Sequence, residues 1–529
     1  MDNKKTILNN LNKYNVILTV ILLTGFLARL LFIGRMPFGL NQDEASAGYD
    51  AYSILHYGID RNGISYPVFL KAWGSGQNAL YSYFCMPFIA LFGLSELSLR
   101  LPMALIGCVS VFVIYRLSKI MFDEKYALII TGFFAICPWH VMKSRWALES
   151  NLFPDLILIV VYLIALYIKD NYNKKSFVIA AFILGLSAYS YGTAYLFIPL
   201  FAVGVAVLLI AKKKVSFSVL IVAVAVAFFT ALPIVMFVII NTFDMEQMKF
   251  FMFTIPKLNV SRHMEISSVF SHDFFKTTWE NFRQTLRIMC EQNDDLIWNS
   301  TPFYGTMYTV SLPFTVTGAY VLIKNIADKK SDVVKRVTQA VVVIWLCAAF
   351  IVSVAVLPNV NRINVIMIPL ALCTGTGIAF VVNNIKELRR VILGLYSLLF
   401  ISFSVYYLND YQESVGNAFF YGLGDAIEYA GSLDASCVYV TKSINMPYIF
   451  TLFYDTSNPN EYIKSVVYEN KGGAFEKVEQ YGEYKFMLPL DNGELENVAI
   501  IVTDGELAYY ENSNYKLKSF GLYNVLFID

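Results

Sequence analysis

Two carboxylates stand side by side at Asp43 and Glu44, within Asn41-Gln42-Asp43-Glu44-Ala45-Ser46-Ala47-Gly48-Tyr49. A third, Glu149, lies in Lys143-Ser144-Arg145-Trp146-Ala147-Leu148-Glu149-Ser150-Asn151. Such acids suit general-base chemistry, in which one takes a proton while another orients a substrate or a metal. The first segment also reads as a helix start, with Asn41 as cap and Asp43 and Glu44 at the positive end. Ala45, Gly48, Tyr49, Tyr52 and Leu55 share one helical face, which predicts an amphipathic interfacial helix. Glu149 has a structural alternative too, an ion pair with Arg145.

The cations that could meet an anionic group are Lys71, Arg100, Lys143, Arg145, Arg262, His263 and Arg362. Arg100 reads as an arginine snorkelling to headgroups. Arg362, in Pro358-Asn359-Val360-Asn361-Arg362, either binds a lipid phosphate or anchors its helix. Lys71-Ala72-Trp73-Gly74-Ser75-Gly76-Gln77-Asn78 sets an aromatic beside glycines and amides. That mixture suits a sugar ring approached closely by backbone, and it also suits a plain hinge. The four histidines and seven cysteines show no ligand or CxxC spacing, so neither a metal site nor a disulfide framework is expected.

The elements that must hold these residues are membrane helices. Of 529 residues 57% are hydrophobic and only 15% charged, too few charges to cover a soluble protein of this length. A net charge of +1 leaves no field to attract nucleic acid. Runs long enough to span fall near 14–33, 97–118, 126–142, 152–168, 176–191, 194–211, 216–239, 304–324, 339–357, 363–383 and 391–408, about eleven in all. The first is expected to stay uncleaved, since no small-residue cleavage site follows it. The segment 79–93 is short and broken by Pro87; if it stays at the interface, every second connection is basic. Those turns include Lys4, Lys5 and Lys13, Lys212–Lys214, Lys324 to Arg336, and Lys386 to Arg390. The positive-inside rule then puts the N-terminus in the cytoplasm, and the loops 34–96, 143–151 and 240–303 and the tail outside. The tail alternates apolar and polar residues at Tyr484–Leu488, Val498–Val502 and Val525–Ile528. Asn492-Gly493 and Asp504-Gly505 give turn signals there. This predicts a membrane domain over 1–408 and a small α/β domain over 409–529.

In this ordered setting the chain resembles the GT-C membrane glycosyltransferases. The likeness is to the family 39 protein mannosyltransferase-like group, which includes the bacterial aminoarabinose transferases. It rests on the first span, the loop opening with Asp43-Glu44, the Pro/Gly/aromatic stretch leading to 79–93, Phe92-Gly93 with Leu99-Arg100, and the acidic second loop. It covers roughly 14–210. It implies a polytopic helical bundle and a transferase in the plasma membrane that takes a sugar from a polyprenyl phosphate. The acceptor would be a protein, glycan or glycolipid hydroxyl, and no obligatory metal or other cofactor is implied. Asp43 matches the family's catalytic carboxylate and Glu149 its second-loop acid. Ser46 stands where those enzymes carry an arginine, and Gln77 falls near their phosphate-contacting lysine, with Lys71 the nearest cation. On this reading Asp43 deprotonates the acceptor and the sugar inverts. Glu44 and Glu149 orient hydroxyls, Trp73 and Gln77 line the sugar, and Lys71, Arg145, Arg262 and Arg362 are the candidates for binding substrate or phosphate. Two other readings remain, a lipid-linked sugar flippase and a non-catalytic envelope assembly protein.

Overall fold

The computed structural model describes residues 2–73, 76–170, 172–259, 273–473, 475–489, 495–511 and 513–528, with side chains from residue 13. Arg262, His263 and the Asn492-Gly493 turn lie outside the described residues. The chain begins with α1 (Asp2–Leu30) and α2 (Gln42–Tyr57). Next come β1 (Phe69–Leu70), β2 (Gln77–Asn78), α3 (Leu80–Phe92) and α4 (Glu96–Met121). The bundle continues through α5 (Glu124–Ala135), α6 (Pro138–Lys143), α7 (Phe153–Lys169), α8 (Lys174–Ser187), α9 (Ala194–Ala211) and α10 (Phe217–Thr242). After the hairpin β3 (Met248–Phe250) and β4 (Phe253–Ile255) it closes with α11 (Phe274–Glu291), α12 (Leu312–Ala327), α13 (Val333–Ala355), α14 (Met367–Asn384) and α15 (Lys386–Leu408).

Among the described residues nine helical segments, from Lys13–Leu30 to Lys386–Leu408, are long and apolar enough to cross a membrane. The protein is multi-pass, and two of the eleven expected spans are built from shorter helices than these nine. The run 126–142 breaks into α5 and α6 at Pro138, which has no N–H to continue the ladder. The run 176–191 gives only the 14 residues of α8. There the Ser187 and Ser190 hydroxyls donate to the carbonyls of Leu184 and Ser187 and tighten the end into turns. α3 has 13 residues, about 20 Å, and is too short to cross. The tightest crossing is α12 on α14. A Cβ on Gly318 would fall 1.7 Å from the Cys373 carbonyl oxygen, and one on Gly377 1.9 Å from that of Phe314. Only glycine lets the two backbones approach so closely.

The tail folds as expected into a small α/β unit. It contains α16 (Asp410–Ala418), α17 (Leu423–Gly431), β5 (Cys437–Val440), α18 (Pro447–Tyr454) and α19 (Pro459–Ser465). The remaining strands are β6 (Val467–Tyr468), β7 (Val478–Tyr481), β8 (Tyr484–Lys485), β9 (Val498–Thr503), β10 (Lys516–Phe520) and β11 (Tyr523–Phe527). They form one sheet in the order β10-β11-β9-β5-β8-β7-β6, with β5 parallel to β8 and β9. Asp504-Gly505 opens a 3₁₀ helix, not a hairpin turn.

This unit shares a core with the first loop. Ala45, Tyr49, Tyr81 and Leu99 are buried in one cluster with Ile449, Phe453 and Ile501. The Tyr49 hydroxyl donates to the Ser457 carbonyl at 2.7 Å, and the Leu40 N–H to that of Phe419 at 2.7 Å. α2 is therefore covered on nearly every side, with Glu44 through Ala51 all buried. It is not the interfacial helix its apolar face predicts, because the sheet unit takes the place lipid would have.

Candidate functional site

The N-terminus of α2 sets the geometry. The Asn41 side chain accepts from the Asp43 N–H at 2.9 Å, and Glu44 Oε2 accepts from the Asn41 N–H at 3.1 Å, a reciprocal capping box. The box turns the two adjacent carboxylates in different directions. Glu44 faces inward. It accepts from Arg100 Nε and Nη2, both at 3.0 Å, and from the Ala147 N–H at 2.9 Å. Arg100 also donates to the carbonyls of Pro37 and Gly39. Both side chains are fully buried, so the predicted snorkelling of Arg100 and the substrate-orienting role of Glu44 are replaced by one internal ion pair.

Asp43 faces a cavity of about 340 Å³ lined by Trp73, Gln77, Glu149, Tyr191 and Arg362. The Trp73 Nε1–H donates to Asp43 Oδ1 at 3.1 Å. Gln77 donates to the Asp43 carbonyl at 3.2 Å and accepts from the Ser46 hydroxyl at 3.0 Å. Glu149 opens a 3₁₀ turn before α7. Its Oε1 accepts from Asn78 Nδ2 at 3.3 Å, while its buried Oε2 has no hydrogen-bond partner among the described residues. Arg362 is held by its N–H on Asn359 Oδ1 at 2.8 Å, with its guanidinium beside Tyr191. The opposite wall comes from the sheet unit, through Asn445 and Met446.

Burial raises the Asp43 carboxyl above the ordinary carboxylate range; the Trp73 N–H opposes this, Glu44 adds to it and Arg61 offsets it. A base with that balance works above its pKa and fails as pH falls through it. Replacing Trp73 by Phe removes the donor that stabilises the carboxylate. The acid limb of the turnover profile should therefore move to higher pH, which a pH series on Trp73→Phe reads directly.

The cavity thus gathers Asp43, Trp73, Gln77, Glu149 and Arg362 from four stretches of the sequence. Lys71 points away, to Glu476 of the sheet unit at 3.9 Å. Arg145 makes no pair with Glu149. It is buried under the Tyr407 ring, 5.6 Å from its centroid, and donates to the carbonyls of Ala28, Arg29 and Met36, which leaves it out of the cavity. Arg61 was not anticipated. Its Nη2 donates to Ser46 at 2.9 Å and its guanidinium lies 5.2 Å from the Trp73 ring centroid. A guanidinium therefore reaches Ser46 from fifteen residues downstream, beside the position where the resemblance would put an arginine.

The bundle also holds buried charge among its apolar helices. Asp155 of α7 accepts from Ser110 at 2.8 Å, from His140 Nε2 at 3.1 Å and from Lys143 Nζ. Arg29 donates to His140 Nδ1 at 2.7 Å and to the Ala135 carbonyl at 2.9 Å. With Arg29 as donor, Nδ1 must accept and Nε2 carries the proton, so the ring is neutral. The network is closed on itself and ties α1, α4, α6 and α7 together, as buried membrane charges require.

Residues 78–237 match the family model described as dolichyl-phosphate-mannose-protein mannosyltransferase. In fold the chain is similar to ArnT from Cupriavidus metallidurans bound to undecaprenyl phosphate, with TM-score 0.56, 12% identity and 97% of each chain covered. It is similar to the same enzyme in the apo state, with TM-score 0.52, 11% identity and 98% of each chain covered. A third likeness is to the Archaeoglobus fulgidus oligosaccharyltransferase tethered with an acceptor peptide. There the TM-score is 0.52 at 13% identity, over 83% of this chain and 63% of that one. No curated protein sequence matches the chain. The fold is the GT-C fold of membrane glycosyltransferases, as the resemblance implies.

Proposed function

We propose that this multi-pass protein of GT-C fold is a glycosyltransferase. It moves a sugar from a polyprenyl-phosphate carrier to a hydroxyl acceptor outside the cytoplasm, with inversion at the anomeric carbon. The observation that carries this reading is one cavity that presents a base (Asp43), a second acid with an open oxygen (Glu149) and a guanidinium (Arg362). The match of 78–237 to a mannosyltransferase family supports it, and so does the undecaprenyl phosphate bound to the similarly folded ArnT.

The steps follow from charge. The acceptor oxygen forms a bond to the anomeric carbon as the carbon–phosphate oxygen bond breaks. The acceptor proton passes to Asp43. Polyprenyl phosphate leaves with one more negative charge than it carried as a diester, and Arg362 is placed to meet that charge. Glu149 Oε2 accepts from a sugar or acceptor hydroxyl, and Trp73 offers its face to the ring while its N–H holds Asp43. The leaving group is already a stable anion, so no general acid is needed, and we assign no metal or other cofactor to the step. The basic turns then face the cytoplasm and the sheet unit lies outside, in the plasma membrane.

The test is donor turnover by the purified protein in detergent, with a panel of polyprenyl-phosphate sugars, a mixed cell-envelope acceptor extract and EDTA present. Release of polyprenyl phosphate from at least one donor is expected. No release from any donor, with the protein folded and the extract active with a control transferase, would overturn the reading and favour transport or assembly.

A further inference from the structure

Another polar cavity lies at the far end of the bundle from Asp43. It has a volume of about 350 Å³ and sits where α12 ends and α13 begins. α13 has 23 residues, about 35 Å of helix, and Arg362 lies beyond its other end. Lys324, Lys335 and Arg336 line this cavity, with Asp123 as its only lining carboxylate. The nearby acids serve turns and caps. Asp123 takes the Tyr126 N–H at 3.0 Å and Asp332 that of Lys335 at 3.0 Å, while Asp328 takes the Lys330 N–H and the Ser331 hydroxyl. Among the described residues no carboxylate lies within ion-pair distance of the three cations, although Asp328 stands near enough to Arg336 and Lys324 for their charges to act on it.

Two buried polar atoms face this cluster without partners. Gln339 is 2% exposed and lines the cavity. Its Nε2 donates to the Met121 carbonyl at 2.8 Å, which fixes the amide orientation and leaves Oε1 as an acceptor without a donor. Arg336 gives Nη1 to the Lys329 carbonyl at 3.1 Å, while its Nε also lacks a partner. The site thus offers positive charge for a phosphate and, beside it, an acceptor for a hydroxyl. Beside the cations lies exposed apolar surface: Tyr320, which lines the cavity, and Ile323 on the same helix are each 60% exposed.

We infer that this cavity is a binding site for the headgroup of an anionic phospholipid, a phosphodiester carrying a free hydroxyl. Lys324, Lys335 and Arg336 meet the phosphate, and Gln339 Oε1 accepts from the headgroup alcohol. Basic pockets between membrane helices take such headgroups, and exposed apolar surface beside the cations favours a lipid over a soluble anion. The site is independent of the chemistry proposed at Asp43.

The test is lipid retention by the full chain, measured by native mass spectrometry after exchange into detergent with equal phosphatidylglycerol and phosphatidylcholine. Wild type is expected to keep phosphatidylglycerol about 10- to 100-fold over phosphatidylcholine. The triple variant K324Q/K335Q/R336Q should lose that preference with an unchanged melting temperature. A control, K386Q/R389Q/R390Q, alters the neighbouring basic turn and should keep it. Gln339→Leu separates the alcohol contact: it should weaken phosphatidylglycerol more than phosphatidic acid. Equal retention by wild type and the first triple variant would overturn the site. Displacement of the lipid by millimolar inorganic phosphate would overturn the lipid assignment in favour of a free anion.

Discussion

Asp43→Asn should lower sugar transfer by about 10³-fold and leave the protein folded and inserted. The amide is the same size and its oxygen still accepts from Trp73 Nε1, so the bond that places the side chain survives. Only the ability to take a proton is lost. The α2 cap does not suffer, because Asn41 bonds the backbone N–H of residue 43 and not its side chain. Released polyprenyl phosphate per enzyme, compared with wild type at equal melting temperature, measures the effect. Turnover at the wild-type rate would remove Asp43 from the mechanism. A variant that fails to fold would contradict the geometry instead, since no cap or core contact rests on that carboxylate.

Arg100→Ala is expected to act on stability. It would leave the Glu44 carboxylate fully buried with two backbone N–H partners and no cation. Removing one member of a buried pair costs about 3–5 kcal/mol. The carbonyls of Pro37 and Gly39 would lose their donor as well. Thermal unfolding in detergent should show a large drop, and the double change Glu44→Gln with Arg100→Met should recover part of it by removing both charges. If Arg100→Ala melted like wild type while turnover collapsed, the pair would belong to the chemistry and not to the scaffold.

These two variants separate neighbours that look equivalent in the sequence. Asp43 and Glu44 are adjacent acids, and only the capping box decides which one faces the cavity. The Asn41 cap was legible in the sequence; the return bond from Glu44 and its pairing with Arg100 were not, because Arg100 arrives from another helix. Trp73, Gln77, Glu149 and Arg362 were legible because each lies in a short polar stretch between apolar runs. Tyr191, Asn359, Asn445 and Met446 gave no such signal, although Asn359 sits in the same short stretch as Arg362. Lys71 and Arg145 carry the right charge, yet a residue's charge does not reveal which way its side chain points. Asp155 was hidden inside a run apolar enough to span, and only the fold shows Lys143 and His140 turned toward it. The runs 126–142 and 176–191 are not single long helices, because Pro138 and the serines after Leu186 end helices that hydropathy alone would continue.

The bond from Tyr49 to Ser457 joins residues 408 apart in sequence. At ordinary translation rates that separation is about 20–80 s of synthesis. During that interval the helix bearing Asp43 has already been made, but the chain that forms its opposite wall has not. Whatever chemistry Asp43 performs must wait until the unit that carries Asn445 and Met446 has been made and has folded. A chain cut short before Asn445 and Met446 therefore lacks that wall of the cavity.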